Sequence, residues 1–260
     1  MNILLSGICG HMGREVVKLC DAGYRSASVA CGVDPAMVQV GEYPVFGRFY
    51  DVPSDMKIDC IVDFSHHTCA PEMLEFACEN NIPVVVATTG HTDDEIRAIR
   101  DASKHIPVFF SANMSLGVAL LVELAKTVAS AMPEADIEII EKHHNRKIDA
   151  PSGTALMLAN AICEVRTDAY VKAGRAGREK REPSEIGVHA IRMGNIVGEH
   201  EVIVGTANQT ITLKHEAHSR ALFAEGALAA AAFICDCDAG LYDMKSLVAG
   251  KDAALSGAEL

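Results

Sequence analysis

The sequence predicts an α/β protein: an N-terminal Rossmann-like domain on a parallel sheet, followed by a second, α+β domain on a mixed sheet. Three observations predict it. Up to about Asn113, short apolar runs alternate with helical patterns, the signature of βαβ units. A glycine-rich turn, Gly7-Ile8-Cys9-Gly10-His11-Met12-Gly13, joins the first apolar run to the first helical pattern. Towards the C-terminal end, three strand-like segments follow one another with no helix between them, which requires antiparallel or mixed pairing.

The elements follow in order. Asn2–Ser6 reads as a short buried strand, and residues 12–22 carry apolar side chains at helical spacing. Ser28–Val33 is a second buried strand, ending at Asp34. Residues 58–64 form a third strand and 71–80 a helix. Residues 83–88 form a fourth strand, 93–105 a helix with Thr92 as its N-cap, and 107–111 a fifth strand. The pattern then changes. Residues 117–131 form a long helix, 136–142 alternate as a strand does, 152–164 are helical and 175–182 form a charged loop. Strands are expected over 187–193, 198–204 and 209–214, separated by Gly or Asn turns, and an Ala-rich helix over 219–235 that returns to the first domain. The expected boundaries are 1–113 plus 221–250 for the first domain, 114–220 for the second, and 251–260 for a loose tail.

Composition narrows the function classes. The 260 residues accommodate one large or two modest domains, and an apolar fraction of 49% sustains real cores. The net charge of −12 disfavours nucleic acid or an anionic membrane as the partner, and 5% aromatics without Trp disfavour a base-stacking platform. The nine Cys include no CxxC pair, so they read as reduced thiols packed as small hydrophobes, and no metal is expected. No basic and apolar leader pattern opens the sequence, and no apolar run reaches the ~18 residues of a membrane span. A cytoplasmic location is the expectation.

Two segments carry chemistry. The glycine turn lets backbone N–H groups approach a pyrophosphate at a helix N-terminus. It reads GxxGxxG rather than GxGxxG, and alone it also fits a ligand-free strand–helix connection. Asp34, at the end of the second strand, suits a ribose 2′-OH and would repel a 2′-phosphate, which favours NADH with NADPH as the alternative. Ala87-Thr88-Thr89-Gly90 and Ser111-Ala112-Asn113-Met114 each follow a strand, where an open parallel sheet binds its ligands. The second segment runs from His143 to Thr154. Two His, one Arg and two Lys fall within 142–147, a local positive cluster in an acidic chain. Ser152, Gly153 and Thr154 stand at the start of a helix, where N–H groups and hydroxyls bind a carboxylate. Lys147 offers a charge and a proton, and a His donates a proton near neutral pH. Alone, this run also fits a solvated basic loop.

HHNRKIDAPSGTA closely resembles the signature of the 4-hydroxy-tetrahydrodipicolinate reductase family. Gly7-x-x-Gly10-x-Met12-Gly13, Asp63-Phe64-Ser65, the 87–90 and 113–115 loops, and Arg192 to His200 resemble further segments of that family. Departures are His11 in place of a usual Arg or Lys, Asn195 where Asp is common, and residues beyond about Val248. The resemblance implies an NAD(P)H-dependent reduction on the diaminopimelate and lysine pathway, by a homotetramer joined through its substrate-binding second domain. It implies His143 and Lys147 as catalytic residues, and His144, Gly153 and Thr154 as binding a small dicarboxylate. It implies Gly7, Ile8, Cys9, Gly10, His11, Met12, Asp34, Ala87, Thr88, Thr89, Ser111, Ala112, Asn113 and Met114 as the cofactor site. A related amine-oxidising dehydrogenase and a non-catalytic dinucleotide sensor are the rival readings.

Overall fold

The computed structural model describes residues 1–250; the expected tail at 251–260 lies outside the described residues. The chain divides into two compact units. One comprises Met1–Leu116 with the described residues from Arg220 onward; the other is Gly117–Ser219.

The first unit holds a seven-stranded parallel sheet. Its strands are β1 (Asn2–Ser6), β2 (Ser28–Val33), β3 (Val45–Phe46), β4 (Cys60–Asp63), β5 (Val84–Val86), β6 (Pro107–Phe110) and β12 (Gly240–Tyr242), in the order β12-β6-β5-β4-β1-β2-β3. Strands buried on both faces need continuous apolar runs, and Ile3, Leu4, Leu5, Ile61, Val62, Val84 and Val85 are fully buried. Helices α2 (Ala70–Asn80) and α3 (Asp93–Ala102) place Met73, Phe76 and Ile99 in one core with Leu4, Ile61 and Val84. Each such side chain contributes about 1.5–3 kcal/mol by leaving water. Helices α1 (His11–Asp21) and α6 (Ala221–Ile234) pack together, and α6 lies against β4, β5 and β6. The chain order reverses at β1, which pairs with β2 on one side and β4 on the other. Such a switch point opens a crevice at the carboxyl ends of the strands.

Thr92 caps α3 as expected, in a capping box: its hydroxyl accepts the Glu95 N–H and the Glu95 carboxylate accepts the Thr92 N–H. The helix stops at Ala102, short of the expected 105. Strands β3 and β12 were not expected; two and three residues long, they are too short to show a period.

The second unit holds a five-stranded mixed sheet in the order β11-β10-β7-β9-β8. Its strands are β7 (Asp136–His143), β8 (Tyr170–Ala173), β9 (Glu185–Arg192), β10 (Gly198–Gly205) and β11 (Thr210–Ala217). β10 runs antiparallel to β7 and β11, whereas β9 runs parallel to β7 and β8. The three consecutive strands of the sequence are therefore not three neighbours, because β7 lies between β9 and β10. Helices α4 (Leu116–Ala131) and α5 (Gly153–Val165) bury Leu121, Ala125, Leu158 and Ile162 with Ile137, Ile139, Val188 and Val202 of the sheet. After α5, Arg166 donates to the carbonyls of Ala129 (3.2 Å) in the last turn of α4 and of Met132 and Ala135 (2.8 Å) in the segment that leads to β7, tying the two together.

Candidate active site

In the first unit, strand register assembles the expected cofactor loops. Ser6 pairs with Val33 and Asp63, Asp63 with Val86, and Val86 with Phe110. The next residues, Gly7, Asp34, Phe64, Ala87 and Ser111, therefore leave the sheet along one edge. Gly7 has φ +78°, and its amide donates to the Val33 carbonyl at 2.9 Å. A Cβ at Gly13 would stand 2.3 Å from the Gly7 carbonyl oxygen, so only glycine permits this closeness of helix to turn. Gly10 caps α1 with no side chain, and no acidic residue stands in the first turn. Asp34 anchors the turn: its Oδ2 accepts the Cys9 N–H at 3.1 Å and its Oδ1 the Ala36 N–H at 3.0 Å.

His11 is exposed, and Cys9 and Met12 are partly so, whereas Ile8 is fully buried beneath Gly32. Thr88 is buried and Thr89 exposed. The Ser111 hydroxyl donates to the Asn113 carbonyl at 2.9 Å, and Asn113 Oδ1 accepts the Ser115 N–H at 2.9 Å. Ala112 is exposed; Met114 is buried, and its carbonyl lies against Gly226 of α6, where no Cβ would fit. Ile8 and Met114 can thus offer a ligand only backbone. Two polar atoms at this edge, Asp63 Oδ2 and Thr88 Oγ1, are buried with no hydrogen-bond partner among the described residues. Buried acceptors and hydroxyls are normally satisfied. Open polar atoms, the side-chain-free helix start and the Asp34 carboxylate together fit a dinucleotide.

In the second unit the site segment runs from the end of β7 to the start of α5. Alternation along β7 points residues 137, 139, 141 and 143 to the buried face. Two of these are polar. Glu141 is fully buried and accepts four hydrogen bonds: from His143 Nδ1 (2.5 Å), Arg192 Nη1 (2.7 Å), Arg192 Nη2 (2.6 Å) and the Ser152 N–H (3.0 Å). Burial pushes its carboxyl pKa up, but the bonds from Arg192, His143 and Ser152 outweigh burial and hold it below the ordinary value. Arg192 Nη2 also donates to the Asp149 carbonyl at 2.6 Å.

His143 packs edge-to-face against His200, ring centres 5.2 Å apart. Burial, with the charge of His143 second, pushes the His200 pKa down to about 4, so His200 is a neutral ring at pH 7. Its Nε2 bonds the Ser152 hydroxyl at 3.0 Å, and that oxygen also accepts the Ala155 N–H as the α5 N-cap. Lys147 is partly buried, and its ammonium meets Asp149 at 2.8 Å. The His144 N–H donates to the Ile196 carbonyl at 2.8 Å. Gly153 is exposed at the first position of α5, with nothing within 4 Å of where a Cβ would stand. Thr154 is half-buried beside it.

The structure thus gathers His143, Lys147 and the start of α5 around one loop. Sequence reasoning missed Glu141, Arg192 and His200 as parts of that site. The available signal was a charged residue at an inward position of an alternating strand. Among the described residues no cluster of three or more His, Cys, Asp or Glu is arranged to hold a metal, and no helix is long and apolar enough to cross a membrane.

A dinucleotide-type α/β unit joined to a unit that buries the titratable side chains Glu141, His143 and His200 fits an oxidoreductase, the class its relatives define. The model of the family described as dihydrodipicolinate reductase matches the chain twice, its N-terminal part over residues 1–114 and its C-terminal part over 117–248. The 4-hydroxy-tetrahydrodipicolinate reductase of Caldanaerobacter subterraneus subsp. tengcongensis is 44% identical over 95% of this chain and 98% of its own length. That of Clostridium novyi is 42% identical over 96% and 99%. A dipicolinate-bound dihydrodipicolinate reductase from Paenisporosarcina sp. TG-14 shares the fold, with a TM-score of 0.78 over 94% of this chain and 97% of that one, at 24% identity. The chain belongs to the dihydrodipicolinate reductase family, which uses a nicotinamide cofactor to make tetrahydrodipicolinate on the diaminopimelate and lysine pathway.

Proposed function

We propose that the protein reduces 4-hydroxy-tetrahydrodipicolinate to tetrahydrodipicolinate, with NADH preferred to NADPH, as a cytoplasmic homotetramer. The observation that supports it most is the segment from the end of β7 to the start of α5, which carries His143, Lys147 and an exposed helix start at Gly153. The first unit, with Gly7 to Met12, Asp34, Ala87 to Thr89 and Ser111 to Met114, holds the cofactor. The second unit binds substrate and supplies the assembly contacts.

The bound nicotinamide supplies a hydride. The chain's own residues do the rest. Gly153, Thr154 and His144 hold the dicarboxylate at the start of α5, where amides and the helix dipole favour an anion. Lys147 neutralises a carboxylate, trading its pairing with Asp149 for the substrate. The 4-hydroxyl leaves as water to give the conjugated ring imine; as that imine takes the hydride, the His143/Lys147 pair delivers one proton to the atom adjacent to the one taking the hydride. Asp34 accepts from a ribose 2′-OH and repels a 2′-phosphate, which supports the NADH preference.

The test is a coupled assay with synthase-generated substrate and each cofactor in turn. Lys147→Ala and His143→Gln are expected to lower kcat by about 10²–10⁴-fold with NADH affinity unchanged. Wild-type turnover in both variants would refute the assignment. Sedimentation at micromolar protein checks the tetramer.

A further inference from the structure

The Glu141–Arg192 pair is costly where it stands. Ile137 and Ile139 occupy the same inward row of β7, and a carboxylate there must be desolvated. Ion pairs in such places add little stability over apolar packing, so their value lies in geometry. This pair fixes three points of the site segment. Glu141 holds the ring of His143 at the start and the Ser152 amide at the end. Arg192 holds the Asp149 carbonyl between them.

We propose that Glu141, braced by Arg192, is the positioning residue of the reaction: it holds His143 with Nδ1 as donor and Nε2 as the nitrogen offered to substrate, and sets the start of α5 relative to that ring. This rests on the functional reading of His143 given above. A ring nitrogen facing an ionised carboxylate at 2.5 Å carries the hydrogen, so only Nε2 is left to exchange a proton. Gly198 keeps that nitrogen approachable, since a Cβ there would stand 3.1 Å from it. The charged and titratable groups packed on His143 or on its carboxylate partner are Glu141 on β7, Arg192 on β9 and His200 on β10, and the Lys147–Asp149 pair follows on the next loop. One carboxylate therefore sets both the acid and the carboxylate-binding end of the site.

The test uses the full-length protein and Glu141→Gln, which keeps the shape and removes the charge. We expect kcat to fall about 10²-fold and its pH profile between about pH 5.5 and 9 to shift, with NADH affinity unchanged. Arg192→Lys, which keeps the cation and loses the fork, should lower kcat about tenfold and move the profile the same way. Histidine side-chain nitrogen NMR of the wild type should show a hydrogen on His143 Nδ1. If Glu141→Gln does not fold, Arg192→Lys and the NMR signal decide. Wild-type kcat and pH profile in the folded variants would overturn the proposal, as would a fall in kcat with an unmoved profile, or a bare Nδ1. A dead His143→Gln beside a fully active Glu141→Gln overturns this proposal alone; an active His143→Gln overturns the role given to His143 and this proposal with it, and an active Lys147→Ala besides overturns the functional reading.

Discussion

Replacing Gly13 by Ala puts one methyl group where the turn has no room. The new Cβ would lie 2.3 Å from the Gly7 carbonyl oxygen, 2.7 Å from Ile8 Cα and 2.8 Å from the Ile8 carbonyl oxygen, against an ordinary contact of at least 3.4 Å. All three are backbone atoms, so no rotamer change relieves the clash. Turn or helix must move by about an ångström, a crowding that costs about 1–3 kcal/mol. Moving the Gly7 carbonyl also weakens its bond to the Gly10 N–H (3.0 Å), about 1 kcal/mol more. Alanine's better helix propensity returns up to about 1 kcal/mol. The net loss is about 2 kcal/mol, a fall in Tm of about 4–8 °C for a chain of this size. The larger effect is on the cofactor. Amides displaced by about an ångström from a pyrophosphate should weaken NADH binding about 10²-fold. Calorimetric melting and NADH titration by nicotinamide fluorescence read the two effects. Gly153→Ala is the control: its Cβ meets nothing within 4 Å, so Tm and NADH affinity should hold. A Gly13→Ala protein that binds NADH and melts as the wild type does would refute the reasoning.

Asp34→Asn should weaken binding of both cofactors, because Asp34 also holds the Cys9 amide, but NADH more; the NADH/NADPH ratio of kcat/KM should shrink about tenfold or more. His200 stays neutral when folded down to about pH 4, while the unfolded chain takes up a proton near 6.5. The unfolded state thus binds more protons between these values, and stability falls as pH drops through that window, by at most about 3 kcal/mol. Tm measured against pH should show this slope, and His200→Gln should flatten it; an equal slope in the variant would sink the account. Arg166→Met, which removes the donor to the Ala129, Met132 and Ala135 carbonyls and leaves Met132 only the Ala135 N–H, should cost about 2–3 kcal/mol of stability and leave NADH titration unchanged.

The parallel sheet was legible because strands buried on both faces must be continuously apolar, as in Asn2–Ser6 and Ser28–Val33. The mixed sheet was less so. β9 begins at Glu185, two residues before its expected start, because that glutamate is buried and held by Arg175 (2.8 Å) and Lys172 (3.0 Å). A charge at a strand's first residue reads as loop until its partners are known. β8 is an edge strand with no buried side chain, so its sequence carries no apolar period. Residues 175–182, expected as a charged loop, are loop, yet Arg181 reaches back to Asp136 (2.6 Å) and Glu138 (3.1 Å) of β7. At the site, the basic run announced His143 and Lys147. Glu141, Arg192 and His200 lie up to 59 residues apart, and only the pairing of β9 and β10 with β7 brings them together.

The first unit is assembled from both ends of the described chain, with Gly117–Ser219 threaded between them. On the ribosome these parts emerge in order, and α6 with β12 come only after the inserted unit. Until they arrive, β4, β5 and β6 lack the helix that covers them, and β6 lacks its outer neighbour. The second unit is continuous and has all its strands once Ala217 is clear. Vectorial synthesis therefore favours completion of the inserted unit before the unit whose strands were made first. A stalled or truncated chain would expose the nascent parallel sheet rather than the mixed one.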